Sequence, residues 1–269
     1  MPFVVAERKH TMGRVFCKMK FDRGMGIELP HSWNFANALY GFGEMGAEVI
    51  PYHSLDEVYD QVEREDIVLD YIEQCQEIFQ KFGIHPYLPD YPEPLQPFLG
   101  RKIWSDTLNH IASDEKLWQA GYFVKPVKDK AFTGKIIQSL ADLEGCGQEN
   151  EDLAVLVSEP LELKQEWRCF IIYDQLVDVR PYQMGEGYLY HYDPQQLLKM
   201  LAAFRTWQDR PWACSMDIGV TGDGRTVLVE CNDAYALGCY GLRALPYAKL
   251  ISARWSQLLG VPDAYHFTC

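Results

Sequence analysis

The stretch that decides the fold is MDIGVTGDGRTVLVECND, residues 216–233, near the C-terminal end of the chain. Two apolar runs flank a turn rich in Gly and Asp, which predicts a β-hairpin. Three polar side chains, Asp217, Glu230 and Asn232, interrupt these apolar runs. Glu230 and Asn232 are two residues apart and therefore face the same side of a strand, and the hairpin returns Asp217 to their neighbourhood.

This polar trio predicts a cation site. Carboxylates buried without partners are costly, so a cation should meet them. Carboxylate and amide oxygens suit Mg²⁺, which keeps some water and shares phosphate oxygens with a nucleotide. We therefore predict that Asp217, Glu230 and Asn232 ligate Mg²⁺. The alternative is a surface hairpin with solvated acids.

The composition is that of a globular protein. The chain has 269 residues, 48% of them apolar, which suffices for one large domain or for two to three lobes. No apolar run approaches the roughly 20 residues of a membrane span, and the first residues lack a signal-type run, so we expect a soluble cytoplasmic protein. The formal charge of −13 argues against a broad nucleic-acid surface. Eight scattered cysteines without a C-x-x-C pair favour reduced, mostly buried thiols.

A proline-rich stretch divides the chain. Five prolines lie between Pro86 and Pro97, which excludes a helix interior or a central strand and predicts an extended linker with a domain boundary near Leu99. Residues 1–99 are predicted to form an α/β domain, because apolar spacing in 55–82 suggests strand and helix segments. We place two further units at 100–165 and 166–269.

The middle of the chain predicts a small sheet followed by a second hairpin and a helix. We expect a helix over 107–120 and strands over 121–126, 135–138 and 154–157. Alternating apolar residues around Tyr173-Asp174-Gln175 predict a hairpin over 166–182. Asp193 and Pro194 are typical of a helix N-terminus.

Several charged side chains are candidates for nucleotide contact. Lys125 lies within an apolar strand, where an ammonium would be desolvated unless it pairs with an anion such as phosphate. Glu159, at the end of an apolar strand, is suited to accept from an adenine amine, and Glu166 from ribose hydroxyls. The alternatives are a half-exposed strand lysine and solvated loop carboxylates.

The order of these parts resembles the ATP-grasp superfamily over about residues 100–259. Within it the chain looks most like the subgroup named for one arginine and two lysines. The matching segments are Gly-Arg-Lys at 100–102, Phe-Val-Lys-Pro at 123–126 and Phe-Thr-Gly at 132–134. One departure is Ser215, which stands where many ligases of the superfamily have an arginine two residues before the first metal aspartate.

The resemblance implies an α+β fold in which two α+β lobes grip ATP, preceded by a smaller α/β domain. It implies that Lys125 contacts the α/β-phosphates, that Arg101 or Lys102 takes the other cationic position, and that Glu159 and Glu166 hold adenine and ribose. Lys135 and Leu161 complete the implied nucleotide-binding set. Asp217, Glu230 and Asn232 would hold Mg²⁺. Arg168 and Arg180, predicted on paired strands facing the metal hairpin, are candidates with Lys125 for the catalytic cations, because an arginine fork can hold a carboxylate or an acyl-phosphate. The alternative is that each arginine pairs with a surface acid.

The implied activity is an ATP- and Mg²⁺-dependent carboxylate–amine ligase, acting through an acyl-phosphate on an amino acid, a peptide or a protein terminus. Residues 233–241 would shape the acceptor pocket. Two other functions remain open: a phosphotransferase that passes the γ-phosphoryl group to a hydroxyl, and a nucleotide-binding module without turnover. The sequence leaves the substrate and the oligomeric state open.

Overall fold

The computed structural model describes residues 13–127, 131–147, 151–182 and 190–267. These residues form three four-stranded sheets and six α-helices. The strands are β1 Val15–Asp22, β2 Ile27–Pro30, β3 Val49–Tyr52, β4 Ile67–Leu69, β5 Ile103–Thr107, β6 Phe123–Pro126, β7 Lys135–Ile136, β8 Ala154–Ser158, β9 Leu163–Ile172, β10 Gln175–Pro181, β11 Ala213–Thr221 and β12 Thr226–Asp233. The helices are α1 Trp33–Glu44, α2 Ile72–Lys81, α3 Leu108–Ser113, α4 Glu115–Gln119, α5 Pro194–Thr206 and α6 Ala244–Leu259.

The first sheet is mixed and shares its core with the C-terminal helix. Its strand β1 pairs parallel with β3 and β4 and antiparallel with β2. Helix α1 begins after Ser32, whose side chain accepts from the Phe35 N–H and satisfies a helix-end donor. Helix α6 packs closely on α1, because a side chain at Gly41 would lie 2.1 Å from the Ala244 carbonyl oxygen. One hydrophobic cluster therefore joins the N-terminal sheet to the end of the chain.

The second sheet is antiparallel in the order β5-β8-β6-β7. Its strands overlap the three predicted ones, although β6 begins two residues later than expected and β7 is shorter. The single helix predicted over 107–120 is wrong, because the structure has α3 and α4 in its place. Asp114 interrupts the helix with φ −112° and ψ 101°, and its carboxylate caps α4 by accepting from the Lys116 N–H.

The third sheet is antiparallel in the order β10-β9-β11-β12 and contains both predicted hairpins. Its register sets the site, because Asp217 lies opposite Glu230 on one side and opposite Arg168 on the other. Ser215 lies opposite Asn232. Helix α5 begins as predicted, with the Asp193 carboxylate accepting from the Gln195 N–H and a proline in the first turn.

The proline-rich segment is more than the predicted linker. A 3₁₀ helix over Glu93–Phe98 contains Pro97, and Leu95 is fully buried beneath it. Proline fixes φ near −65°, which a 3₁₀ turn accepts as readily as an extended chain does. The Asp90 carbonyl also accepts from the Cys231 N–H at 2.8 Å, so this segment lies along the outer edge of β12.

The seven described cysteines are free and buried, as expected, and Cys269 lies outside the described residues. Within the described ranges, no helix is both long and apolar enough to cross a membrane.

Candidate functional site

A cavity of about 1140 Å³ lies between the second sheet, the edge strand β12 and the N-terminal part of the chain. Of the predicted site residues, Lys125, Arg168, Glu230 and Asn232 line it. Trp33 and Tyr87 line it from the N-terminal side. The loop after β12, predicted to shape an acceptor pocket, also lines it through residues 235–241.

Lys125 is held between two carboxylates. Its Nζ lies 2.6 Å from Asp90 Oδ2 and 2.9 Å from Glu230 Oε2, and 5.0 Å from the centroid of the Tyr91 ring. Burial lowers the pKa of Lys125, but Glu230, Tyr91 and Asp90 outweigh this effect, so the pKa is raised and the side chain stays cationic. A loop approaches Lys125 at Gly134, where a side chain would lie 2.6 Å from the Phe123 ring and 3.0 Å from Lys125 Cβ.

Arg168 and Asp217 form a buried ion pair. The Arg168 Nε donates to Asp217 Oδ1 at 2.9 Å, and Nη2 donates to Oδ2 at 2.7 Å. Tyr182 completes this group, because its hydroxyl donates to Asp217 Oδ2 at 2.6 Å and accepts from Arg168 Nη2. The Arg168 guanidinium also lies over the Tyr240 ring, 4.4 Å from its centroid. These contacts fix the arginine fork at the wall of the cavity.

Tyr240 adopts φ 43°, a left-handed conformation that is unusual for a residue with a side chain. Its ring lies 4.7 Å from the Tyr182 ring, and the residue is 41% exposed. Strained residues of this kind persist where their surroundings determine them, and here the ring covers Arg168.

The three predicted metal ligands lie together. Asn232 Nδ2 donates to Asp217 Oδ2 at 2.8 Å and to Glu230 Oε1 at 3.3 Å. Rotation of the Asn232 amide would present its oxygen instead, and which atom faces the acids is an assignment and not an observation. Across the part of the chain described, no three His, Cys, Asp or Glu side chains form a metal site by themselves.

The donor chemistry fits Mg²⁺ at Glu230 and Asn232, with further oxygens from water and phosphates. Asp217 fits as a third ligand only after Tyr182 and Asn232 release its Oδ2. Glu166 adds to the negative charge here. Its pKa is raised by burial and further by the carboxylates of Asp217 and Glu230, with Arg101 acting in the opposite direction. This repulsion favours a cation at the site.

Arg101 connects the second and third sheets. Its Nη1 donates to Leu228 O and its Nη2 to Val229 O, both at 2.9 Å, and its Nε donates to Ser158 Oγ at 2.9 Å. Nη1 also donates to the carbonyl of Leu99. Because backbone carbonyls already use the guanidinium donors, the geometry gives Arg101 a positioning role between the sheets.

The other predicted site residues lie outside the lining of the cavity. Lys102 has its Nζ 5.5 Å from the centroid of the Trp104 ring, and its backbone N–H donates to Glu159 Oε2 at 2.9 Å. Arg180 lies opposite Arg168 in the β9–β10 register and pairs with Asp178 at 2.6 Å. Lys135 is the first residue of β7, and Leu161 lies between β8 and β9.

Sequence reasoning missed Asp90, Tyr91 and Tyr182 as site residues. Asp90 and Tyr91 stand in the proline-rich stretch, which has no periodic pattern and is typical of a linker. Tyr182 marks only the end of a hairpin in the sequence, although a tyrosine beyond the strand end, on the same face as Arg180 and opposite Arg168, is a usable signal.

Cys231 also lines the cavity, but burial raises the pKa of its thiol well above the usual value. A thiol in this state is a poor nucleophile, so Cys231 does not offer covalent catalysis.

The fold is found in solved structures of low sequence identity. D-alanine–D-alanine ligase from Bacillus anthracis, complexed with ATP, is 14% identical with a TM-score of 0.53, over 91% of this chain and 96% of that chain. N5-carboxyaminoimidazole synthase from Aspergillus clavatus, in complex with ADP and 5-aminoimidazole ribonucleotide, is 11% identical with a TM-score of 0.50, over 93% of this chain and 78% of that chain. No curated protein sequence matches the chain significantly.

These likenesses confirm the predicted fold class, a mixed α+β ATP-grasp fold. Residues 98–250, more than half of the chain, match a family model described as an ATP-grasp domain, family 2 of its clade. The chain therefore belongs to this ATP-grasp family.

Proposed function

We propose that the protein is an ATP-dependent carboxylate–amine ligase that uses Mg²⁺ and forms an amide bond through an acyl-phosphate. The observation that carries the proposal is the spacing of charges along one cavity wall. A buried lysine, Lys125, and a buried arginine, Arg168, flank the acids and amide of β12 and β11. Phosphoryl transfer needs such charge neutralisation and alignment more than it needs a protein nucleophile.

The triphosphate would lie against Lys125. Adenine and ribose would lie toward the turn between β8 and β9, with Glu159 and Leu161 near the base and Glu166 near the ribose. Lys102 and Lys135 would contribute positive charge at the edge of this region, while Arg101 holds the two sheets together. The three successive sheets support domains at 1–99, 100–165 and 166–269.

Glu230 and Asn232 would hold Mg²⁺, with Asp217 as a further ligand. The ion would neutralise charge on the phosphates when it is bound. The Asn232 amide and the Glu230 carboxylate stand on one rigid strand, so their oxygens are positioned without a loop having to order.

Arg168 would bind the substrate carboxylate, with Arg180 as a second candidate from β10. In the first step a carboxylate oxygen attacks the γ-phosphorus and the bond to the β-phosphate oxygen breaks, releasing ADP. In the second step the amine nitrogen attacks the acyl carbon, the acyl–phosphate bond breaks with release of phosphate, and the nitrogen loses a proton. A planar guanidinium can hold the carboxylate and then the acyl-phosphate.

The acceptor side of the cavity suits an amino acid or a peptide. Trp33 and Tyr87 line it while remaining 77% and 78% exposed, so a substrate could cover two aromatic faces there. Tyr240 also lines the cavity and lies above Arg168. The buried free thiols support a cytoplasmic location as part of the same proposal.

Removing the charge of Glu230 and of Lys125 tests the proposal. ADP release should fall by about 10²-fold or more in Glu230→Gln and in Lys125→Met, because each change removes a group that acts on the phosphates. Asp223→Asn is a matched control, since Asp223 pairs with Arg225 at an exposed turn. Unchanged ADP release in Glu230→Gln would show that the metal assignment is wrong. A stable phosphorylated product formed without an amine would instead support a phosphotransferase.

A further inference from the structure

One side chain at the cavity comes from outside the region that matches the family. Asp90 precedes residues 98–250 and stands in the proline-rich segment. Its backbone is fixed, because its carbonyl accepts from the Cys231 N–H at 2.8 Å. The neighbouring Tyr91 ring lies 5.0 Å from Lys125 Nζ and 5.7 Å from the Arg101 guanidinium. The segment is thus held against the cations of the site.

The two carboxylates on Lys125 differ in their surroundings. The Lys125 side chain is 13% exposed, whereas Asp90 is 35% exposed and Glu230 31% exposed. Glu230 stands on the metal hairpin, within reach of Asn232. Asp90 stands at the edge on a short side chain, so a rotation about its Cα–Cβ bond can withdraw the carboxylate without moving the backbone.

A nucleotide triphosphate would need the same ammonium protons. In that state the Asp90 carboxylate would lie against phosphate oxygens of like charge, and such pairs repel strongly in a partly desolvated site. Glu230 escapes this conflict in the proposed function, because a cation would lie between it and the phosphates. The proposed arrangement gives Asp90 no comparable shielding from the triphosphate.

We propose that Asp90 is the counter-ion that holds Lys125 in position in the nucleotide-free protein, and that the triphosphate displaces it. Binding then exchanges one anion for another on Lys125 Nζ. Asp90 is a positioning residue in this account, and it sets the affinity for the triphosphate. The inference rests on the proposed nucleotide site.

Titration calorimetry with a non-hydrolysable ATP analogue and Mg²⁺ tests the exchange. Asp90→Asn should bind the analogue roughly three- to tenfold more tightly, because the competing charge is gone while the side-chain shape is kept. A purely structural ion pair predicts the opposite sign, since its loss would loosen Lys125 and weaken binding. Adenosine should bind equally to both proteins, because it carries no phosphate.

The controls separate this inference from the proposed function. Asp223→Asn makes the same change of charge at an exposed turn and should leave analogue affinity within about twofold of the parent value. Asp90→Glu keeps the charge and should not tighten binding, and Asp90→Ser provides a second neutral variant if Asp90→Asn folds poorly.

Unchanged or weaker binding in both neutral variants would overturn the role of Asp90. If Lys125→Met weakens binding in the same experiment, the nucleotide site stands and only the counter-ion role fails. If Lys125→Met binds as tightly as the parent protein, the proposed placement of the triphosphate fails as well.

Discussion

The guanidinium of Arg168 on β9 and the carboxylate of Asp217 on β11 lie opposite each other and share two hydrogen bonds, at 2.9 and 2.7 Å. Both residues are buried, with 5% and 1% of their surface exposed. Asp217 thus serves Arg168 in this conformation, and its use as a metal ligand would require an exchange of partners. The pair links the proposed carboxylate-binding residue directly to the proposed metal site.

Replacing Arg168 by Lys should lower ADP release with a carboxylate substrate by roughly 10²- to 10³-fold while ATP affinity changes little. Lysine keeps the charge but loses the planar fork that binds a carboxylate or an acyl-phosphate with two hydrogen bonds. Steady-state kinetics with both substrates varied will separate the two effects. An ATP affinity that falls in parallel with turnover would place Arg168 on the nucleotide instead.

Replacing Arg101 by Lys should destabilise the protein by about 1–3 kcal/mol and weaken ATP binding. One ammonium cannot reach the carbonyls of Leu228 and Val229 and the Ser158 hydroxyl together, so the contact between the second and third sheets loosens. Arg225→Lys is the matched control at an exposed ion pair. Urea unfolding and calorimetry measure both quantities, and normal ATP affinity in a destabilised Arg101→Lys would confine the residue to a structural role.

Local patterns in the sequence predict the third sheet well. The hairpin at 216–233 has a turn signal and alternating side chains, which fix its register and bring Asp217 and Glu230 opposite each other. The strand around Lys125 is equally clear. Such features depend on neighbours along the chain, which a sequence shows directly.

Contacts between distant segments could not be predicted. Asp90 and Tyr91 meet Lys125 only because the proline-rich segment folds along β12, and prolines mask any periodic pattern. The position of Arg101 in a motif predicts a phosphate contact, whereas its donors meet backbone carbonyls of another sheet. The break at Asp114 follows from a local cap that competes with helix continuation.

Replacing Trp33 and Tyr87 by Ala should raise the KM for an amino-acid or peptide acceptor without changing stability. Both rings are largely exposed, so their loss should alter the free energy of unfolding by no more than about 0.5 kcal/mol. Tyr40→Ala is the control, because Tyr40 stands on the same helix as Trp33 and is 65% exposed but does not line the cavity. An acceptor KM that changes equally in Tyr40→Ala would show that the aromatic rim is not selective.

Replacing Asp174 by Asn should remove a pH-dependent part of the stability. The hydrogen bonds from Arg210, at 2.7 Å to each carboxylate oxygen, lower the pKa of Asp174 from its usual 3.8. A lowered pKa in the folded state stabilises the protein above pH 3.8, and this gain is lost as the pH falls through the lowered value. Asn also tolerates the φ of 64° at this position, so the change removes charge alone.

At neutral pH the cost of Asp174→Asn should be about 0.5–1 kcal/mol, because the pair is about one-third exposed and is screened by solvent. Urea unfolding at neutral pH and at a pH below the lowered pKa will show whether the difference between parent and variant disappears. A difference that stays constant over this range would mean that the ion pair does not contribute.

The most direct test of the proposed ligase activity is mass spectrometry of products formed with ATP, Mg²⁺ and pooled amino acids and short peptides, with ADP and phosphate measured in parallel. We predict equal release of ADP and phosphate, and a product with the mass of two substrates less one water. ADP release with a phosphate-sized gain in substrate mass, or tight ATP binding without any turnover across the pools, would contradict the assignment as a ligase of amino acids or short peptides.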